Sequence, residues 1–215
     1  MTRLRTLPVP LVTLIGGNSG TGKTTTAREI ARASDAALQL IDDLRLFAQR
    51  LTAANSHPAL HRFDNPGYLS ELSPEEICAG LIALTEVLSP GIEMVVAHHL
   101  HVELPIVIEG DGLSPRLASQ RSFASRDRDD RVAAVFILEL DERVLLRDLT
   151  ARGRGFASWP PNLQERFVRA SSLYGAWIRE EARALGLPTV SAQPRASLRE
   201  RVVDAALHPQ GVGRV

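Results

Sequence analysis

The chain of 215 residues has a single cysteine, Cys78. A lone thiol excludes an intramolecular disulfide and suits a reducing cytoplasm. An excess of charge of either sign is missing too. Lys+Arg and Asp+Glu number 25 each, which argues against a long nucleic acid as the main partner, since that would favour a basic stripe. No apolar run is long enough to suggest a bilayer span, so no membrane partner is expected. Internal repeats and low-complexity segments are absent, as are ligands at zinc-site spacing and the N-K-x-D pattern that specifies guanine. Arg3 and Arg5 precede an apolar run as in a signal peptide, but that run leads straight into a glycine-rich loop, so a strand is the better reading. Aromatics make up only 5% of the chain, and both tryptophans, Trp159 and Trp177, read as packing residues.

What is present centres on one stretch. Leu11 to Ile15 reads as a buried strand and leads into Gly16-Gly17-Asn18-Ser19-Gly20-Thr21-Gly22-Lys23-Thr24. From Gly17 this fits G-x-x-x-x-G-K-[ST], the phosphate-binding P-loop, and Thr25 to Ala33 continues as a helix. The glycines let backbone N–H groups converge on one concavity, and the helix N-terminus adds its positive dipole end. Gly17, Asn18, Ser19, Gly20, Thr21, Gly22, Lys23, Thr24 and Thr25 are therefore the candidates for holding a nucleotide. Lys23 supplies a point charge for the β- and γ-phosphates, and the Thr24 hydroxyl is suited to Mg²⁺.

Further strands are expected at Ala37–Ile41, Pro105–Glu109, Val132–Leu138 and Thr189–Ser191, interleaved with helices. Leu44 to Ala54 reads as a helix, and 55–72 as a loop or broken helix. Ser73-Pro74-Glu75-Glu76 is a capping box that starts one helix, and Ser89-Pro90 starts another running to about His101. The mixed-charge run from Arg121 to Arg131 reads as a solvated face or loop. Leu163 to Leu185 and Ala196 to Leu207 are the closing helices, with a loose tail from Pro209. Five strands alternating with helices predict one α/β domain, a parallel sheet with helices on both faces.

Open parallel sheets bind ligands at the carboxyl ends of their strands. Asp42 and Asp43 follow the second strand and Glu109 ends the third. A phosphoryl transfer needs one carboxylate to orient or deprotonate the acceptor hydroxyl and another to hold Mg²⁺ directly or through water. Asp42 best fits the first role, with Asp43 a close rival, although one of the pair could instead cap the next helix. Thr24, Asp42 and Glu109, with Asp111 behind it, are the metal candidates. Glu139 and Asp141 rank lower, because capping explains Asp141.

The layout resembles the P-loop small-molecule kinases, the group with shikimate, gluconate and nucleoside monophosphate kinases. Ile41-Asp42-Asp43 and Ile106-Val107-Ile108-Glu109-Gly110 with Ser114-Pro115 are similar to 2-phosphoglycerate kinase-like sequences. The resemblance implies a three-layer P-loop NTPase sandwich with sheet order 2-3-1-4-5, a substrate-binding region over 56–103 and a lid over 152–162. It further implies that Arg147, Arg152 and Arg154 neutralise charge on the transferring phosphoryl group, and that Gln193, Pro194 and Arg195 lie near the adenine. One departure is that the two acids after the second strand are adjacent here, whereas shikimate and gluconate kinases usually separate them by one residue.

Arg152-Gly153-Arg154-Gly155 supports a lid on physical grounds, combining two planar cations with two flexible hinges, though arginine and glycine also favour an ordinary helix C-terminus. His98, His99 and His101 sit near a helix end, where a cation is welcome. Arg45, His57, His61, Arg62, Asp111 and Arg116 are the candidates for contacting the acceptor, and with only Phe63 and Tyr68 as nearby aromatics the acceptor is expected to be small, polar and anionic, a nucleotide being the alternative. Together these readings predict an ATP- and Mg²⁺-dependent phosphotransferase acting on a small cytoplasmic metabolite. A nucleoside or nucleotide kinase and a regulatory NTPase without an acceptor stay open, as does the oligomeric state.

Overall fold

The structure is a computed structural model and describes residues 9–153 and 155–208. Arg154, the arginines at positions 3 and 5 and the tail from Pro209 lie outside the described residues. In chain order the elements are β1 (Val12–Gly17), α1 (Lys23–Ser34), β2 (Ala37–Leu40), α2 (Ile41–Leu51), α3 (Pro58–His61), α4 (Tyr68–Glu71), α5 (Pro74–Val102), β3 (Ile106–Glu109) and α6 (Pro115–Ala118). They continue as β4 (Ser122–Phe123), β5 (Arg126–Asp127), β6 (Val132–Leu138), α7 (Glu142–Ala151), α8 (Pro161–Ala184), β7 (Thr189–Ser191) and α9 (Leu198–Leu207).

β1 and β6 are buried along their whole length because each is covered on both faces, which is why they read as unbroken apolar runs. Five strands form one parallel sheet in the order β2-β3-β1-β6-β7. Counted within that sheet alone the order is 2-3-1-4-5, and the numbering shifts because a small hairpin, β4-β5, intervenes. Alternate side chains point to opposite faces. Ile15, Val107, Val135 and Ile137 pack with Ile30 of α1 and Val202 of α9. Leu14, Ile108 and Phe136 pack on the other face with Leu88 and Ile92 of α5 and Tyr174 of α8.

Several boundaries differ from the sequence reading. α2 begins at Ile41 with no loop after β2, so neither Asp42 nor Asp43 is a cap; both sit in the first turn, where a carboxylate complements the helix dipole. Segment 55–72 contains the short helices α3 and α4. The two helices expected between Ser73 and His101 are one continuous helix, α5, opened by the Ser73/Glu76 capping box. Pro90 lies inside it, and the Ser89 hydroxyl bonds the Thr85 carbonyl in the adjoining turn at 2.7 Å. By length and composition α5 could cross a membrane, contrary to the sequence reading, yet Ile77, Leu84, Leu88, Ile92, Val96 and Leu100 on it are buried. The charged run 121–131 is not a plain solvated loop either. Its hairpin drives Phe123 fully into the core, and Arg128 turns inward to bond the carbonyls of Ala118, Gln120 and Val132.

Candidate active site

The loop from Asn18 to Gly22 sits between β1 and α1, at the carboxyl end of the central strand. Gly17 has φ +137°, and a side chain there would run into the Ile137 carbonyl of β6. Gly22, φ +84°, is the residue before α1 and leaves its N-terminus open. Asn18 is fully buried and clamps the loop. Its amide donates to the Glu139 carbonyl at 2.8 Å and to Ser171 Oγ at 3.2 Å, while its carbonyl oxygen accepts from the Glu139 N–H.

Lys23 is 5% exposed. Its ammonium donates to the Asn18 carbonyl at 2.8 Å and pairs with Asp111 at 2.5 Å. Ser19 Oγ also donates to Asp111, and the Tyr174 hydroxyl donates to the Asp111 backbone carbonyl. Burial opposes ionisation of Asp111, but the Lys23 charge, hydrogen bonds from Lys23 and Ser19 and the Arg152 charge together hold its pKa below the ordinary value. Glu109 is the opposite case. Burial raises its pKa, partly offset by Lys23 and by a hydrogen bond from Thr24, and Asp111 and Asp42 push it further up. Thr24 and Glu109 thus bring a hydroxyl and a carboxylate together beside the phosphate loop, oxygen donors of the kind Mg²⁺ takes.

These groups line an open cleft of about 950 Å³ that also takes in Thr25, Asp42, Arg152, Arg195 and Leu198. A second, smaller cavity of about 250 Å³ opens beside it, and the two share Ser19, Asp42 and Asp111. Arg45 lines the second cavity and lies 3.6 Å from Asp42.

No protein-family model and no curated protein matches the chain. Among solved structures, a gluconokinase from Sinorhizobium meliloti 1021 is similar with TM-score 0.45 and 20% identity, over 94% of this chain and 93% of that one. A shikimate kinase from Acinetobacter baumannii, in complex with shikimate, gives 0.46 and 16% over 95% and 96%. TT1252 from Thermus thermophilus gives 0.48 and 17% over 95% and 100%. The P-loop between β1 and α1 and the order of the sheet agree with the three-layer P-loop sandwich expected from the sequence.

The remaining candidates divide clearly. Asp43 is exposed and lines neither cavity. Arg195 lies under the loop, donating to the Gly20 and Thr21 carbonyls and pairing with Asp148 at 2.8 Å, and Gln193 reaches the same carboxylate at 2.9 Å across a cis Gln193–Pro194 bond. Arg147 pairs with the other oxygen of Asp148 and does not line the cleft. Four expected acceptor contacts are placed elsewhere. His57 is exposed. His61 is spent between Asp64 at 2.6 Å and Thr52 at 3.0 Å. The Arg62 side chain lies over Gly80. Arg116 pairs with Glu181 at 3.0 Å on the surface. Glu139 is also accounted for, its carboxylate accepting the N–H groups of Leu140 and Asp141, while Asp141 caps α7.

Sequence reasoning missed the α8 side of the site. Phe167, Ala170, Ser171 and Tyr174 line the second cavity, and Asp148 anchors the loop after β7. The α8 residues recur at helical spacing that reads simply as core.

Proposed function

We propose that the chain is an ATP- and Mg²⁺-dependent phosphotransferase that moves the γ-phosphate to a hydroxyl of a small cytoplasmic metabolite. The observation that carries this reading is the meeting of the two cavities at Ser19, Asp42 and Asp111. A phosphate cradle opens there onto a separate pocket of acceptor size. A switch that only hydrolyses a nucleotide needs no such pocket.

In the transfer, the acceptor oxygen forms a bond to the γ-phosphorus as the bond to the β,γ-bridging oxygen breaks. ADP departs with that electron pair, and the hydroxyl proton passes to Asp42. Asp42 is suited to this because its carboxylate is solvated, at 77% side-chain exposure, and borders both cavities. The loop N–H groups and the α1 N-terminus hold the phosphates, and Lys23 turns from Asp111 towards the phosphate oxygens. Thr24 and Glu109 would hold Mg²⁺, which supplies charge neutralisation on the phosphate oxygens when bound. Arg152 lines the cleft and follows α7, and Gly153 and Gly155, at φ +69° and +80°, supply hinges for the proposed lid. Closing that lid would exclude water and suppress hydrolysis. Arg195 positions the loop and lines the cleft on the side proposed for the adenine, while Gln193 holds Asp148.

Purified protein supplied with Mg²⁺-ATP and a panel of hydroxylated metabolites should release ADP only when an acceptor is present. ADP release at the same rate without any acceptor would sink the transferase reading and leave a nucleotide hydrolase.

A further inference from the structure

We propose, resting on the phosphotransferase reading, that the acceptor is a compact neutral alcohol built on an apolar ring or branched carbon frame, which presents one hydroxyl to Asp42. The acceptor cavity differs from what a sugar acid or a nucleotide would require. Its lining is rich in aliphatic side chains from α2 and α5, such as Ile41, Leu84 and Leu88, and in the aromatic rings of Phe63, Phe167 and Tyr174. Several of its polar groups are already engaged within the protein. The Tyr174 hydroxyl is held by the Asp111 carbonyl, and Ser171 Oγ donates to the Ser19 carbonyl while accepting from Asn18. Each further hydroxyl on a polyol would enter this cavity with little to bond, and a buried unsatisfied group costs about 1–3 kcal/mol.

Charge and size narrow the class further. The charged side chains lining the cavity are Asp42, Asp111 and Arg45, and Arg45 lies 3.6 Å from Asp42. A carboxylate or phosphate on the acceptor would have to compete with Asp42 for Arg45. The volume of about 250 Å³ falls below the roughly 300–1,000 Å³ of sites for drug-sized ligands, in keeping with a compact acceptor such as a mono- or bicyclic alcohol. The edge-to-face pair Phe63–Tyr68, with centroids 5.0 Å apart, gives the wall a fixed shape against which a ring can pack.

The test compares ring alcohols (cyclohexanemethanol, benzyl alcohol, 2-phenylethanol) with gluconate, glycerate, shikimate and thymidine, by calorimetric titration in the presence of Mg²⁺-ADP and by ADP release from Mg²⁺-ATP. The ring alcohols should be preferred over these competitors by roughly 100-fold, the scale on which an apolar pocket rejects an added hydroxyl. Leu81→Gln, at a half-buried wall position, should weaken ring-alcohol binding roughly tenfold or more, with Leu84→Gln as the second variant should the first fail to fold. Ring-alcohol binding that is lost in these variants, with no ADP formed from any acceptor, would end the phosphotransferase reading and support the pocket assignment. Preferred turnover of a sugar acid or thymidine would overturn the pocket assignment and leave the transferase standing. Failure of every ring alcohol to bind overturns it as well.

Discussion

At the scale of single residues, the site is governed by the partnership of Lys23 and Asp111. A P-loop lysine is expected from the motif alone, but its burial against a carboxylate is a property of the fold, since Asp111 follows β3 and reaches across to α1. Replacing Lys23 therefore has two consequences that can be separated. Lys23→Met should reduce turnover at least 100-fold, the scale of losing a preorganised charge at the transferring group. It should also destabilise the fold by less than the roughly 3–5 kcal/mol seen when a fully buried pair is broken, because the Asp111 side chain keeps 35% of its exposure to water. The double variant Lys23→Met/Asp111→Asn should recover the stability and none of the activity; denaturant midpoints and ADP release measure the two. Asp42 and Asp43 are adjacent in sequence yet differ in position, one bordering both cavities and the other facing solvent. Asp42→Asn should lower kcat by two or more orders of magnitude with ATP binding nearly unchanged, whereas Asp43→Asn should stay within about twofold, since a surface change is commonly within ±0.5 kcal/mol. A sensitive Asp43 and an indifferent Asp42 would reverse the assignment of the proton acceptor.

At the scale of elements, what was legible depended on whether the signal was local. The P-loop announces itself because phosphate binding fixes residue types at fixed spacing, and β1, β3 and β6 follow from short apolar runs bounded by turns. The capping box at Ser73 and the Asp141 cap before α7 are local as well, and both are formed. By contrast, Phe123 was hidden in a run of charges, and only the turn of the β4-β5 hairpin carries it to the core. His57, His61 and Arg62 looked like acceptor contacts by residue type. The exposure of His57, the engagement of His61 with Asp64 and Thr52 and the placement of Arg62 over α5 depend on how α3 packs, which no spacing encodes. The aromatic wall was underestimated for the same reason, because half of it comes from α8, about 100 residues further along the chain than Phe63 and Tyr68. The proposed lid belongs to this scale too. Arg152 is exposed at the end of α7, so Arg152→Ala should change stability by about 0.5 kcal/mol or less. Its loss should nevertheless lower kcat more than tenfold, because the Arg152 charge acts on the phosphate cleft and already bears on Asp111. An unchanged kcat alongside a large loss of stability would make it a structural arginine.

At the scale of the whole molecule, the two cavities sit where β1 and β3 end and where α2, α5 and α8 converge, so ligand binding and folding are linked. The carboxylates of the site pull stability in opposite directions with pH. The pKa of Asp111 is lowered in the folded state, so its contribution is present above the ordinary carboxylate pKa and is lost as pH falls through the lowered folded value. The pKa of Glu109 is raised, so stability is lost as pH rises from the ordinary carboxylate range through the raised value and the buried group ionises. Urea midpoints measured across that range should therefore flatten on the acid limb in Asp111→Asn and on the rising limb in Glu109→Gln. Nucleotide binding adds to the native state alone. At about 100 times the dissociation constant, Mg²⁺-ATP contributes roughly 2.7 kcal/mol. For a chain of this length each kcal/mol raises Tm by about 2–4 °C, so the midpoint should rise by roughly 5–11 °C. Mg²⁺ acting through Thr24 and Glu109 requires that EDTA remove much of that rise and that Glu109→Gln do the same without EDTA. Lys23→Met should remove most of it under either condition. A full shift in both variants would place the nucleotide outside the P-loop cleft and overturn the site from which every proposed step begins.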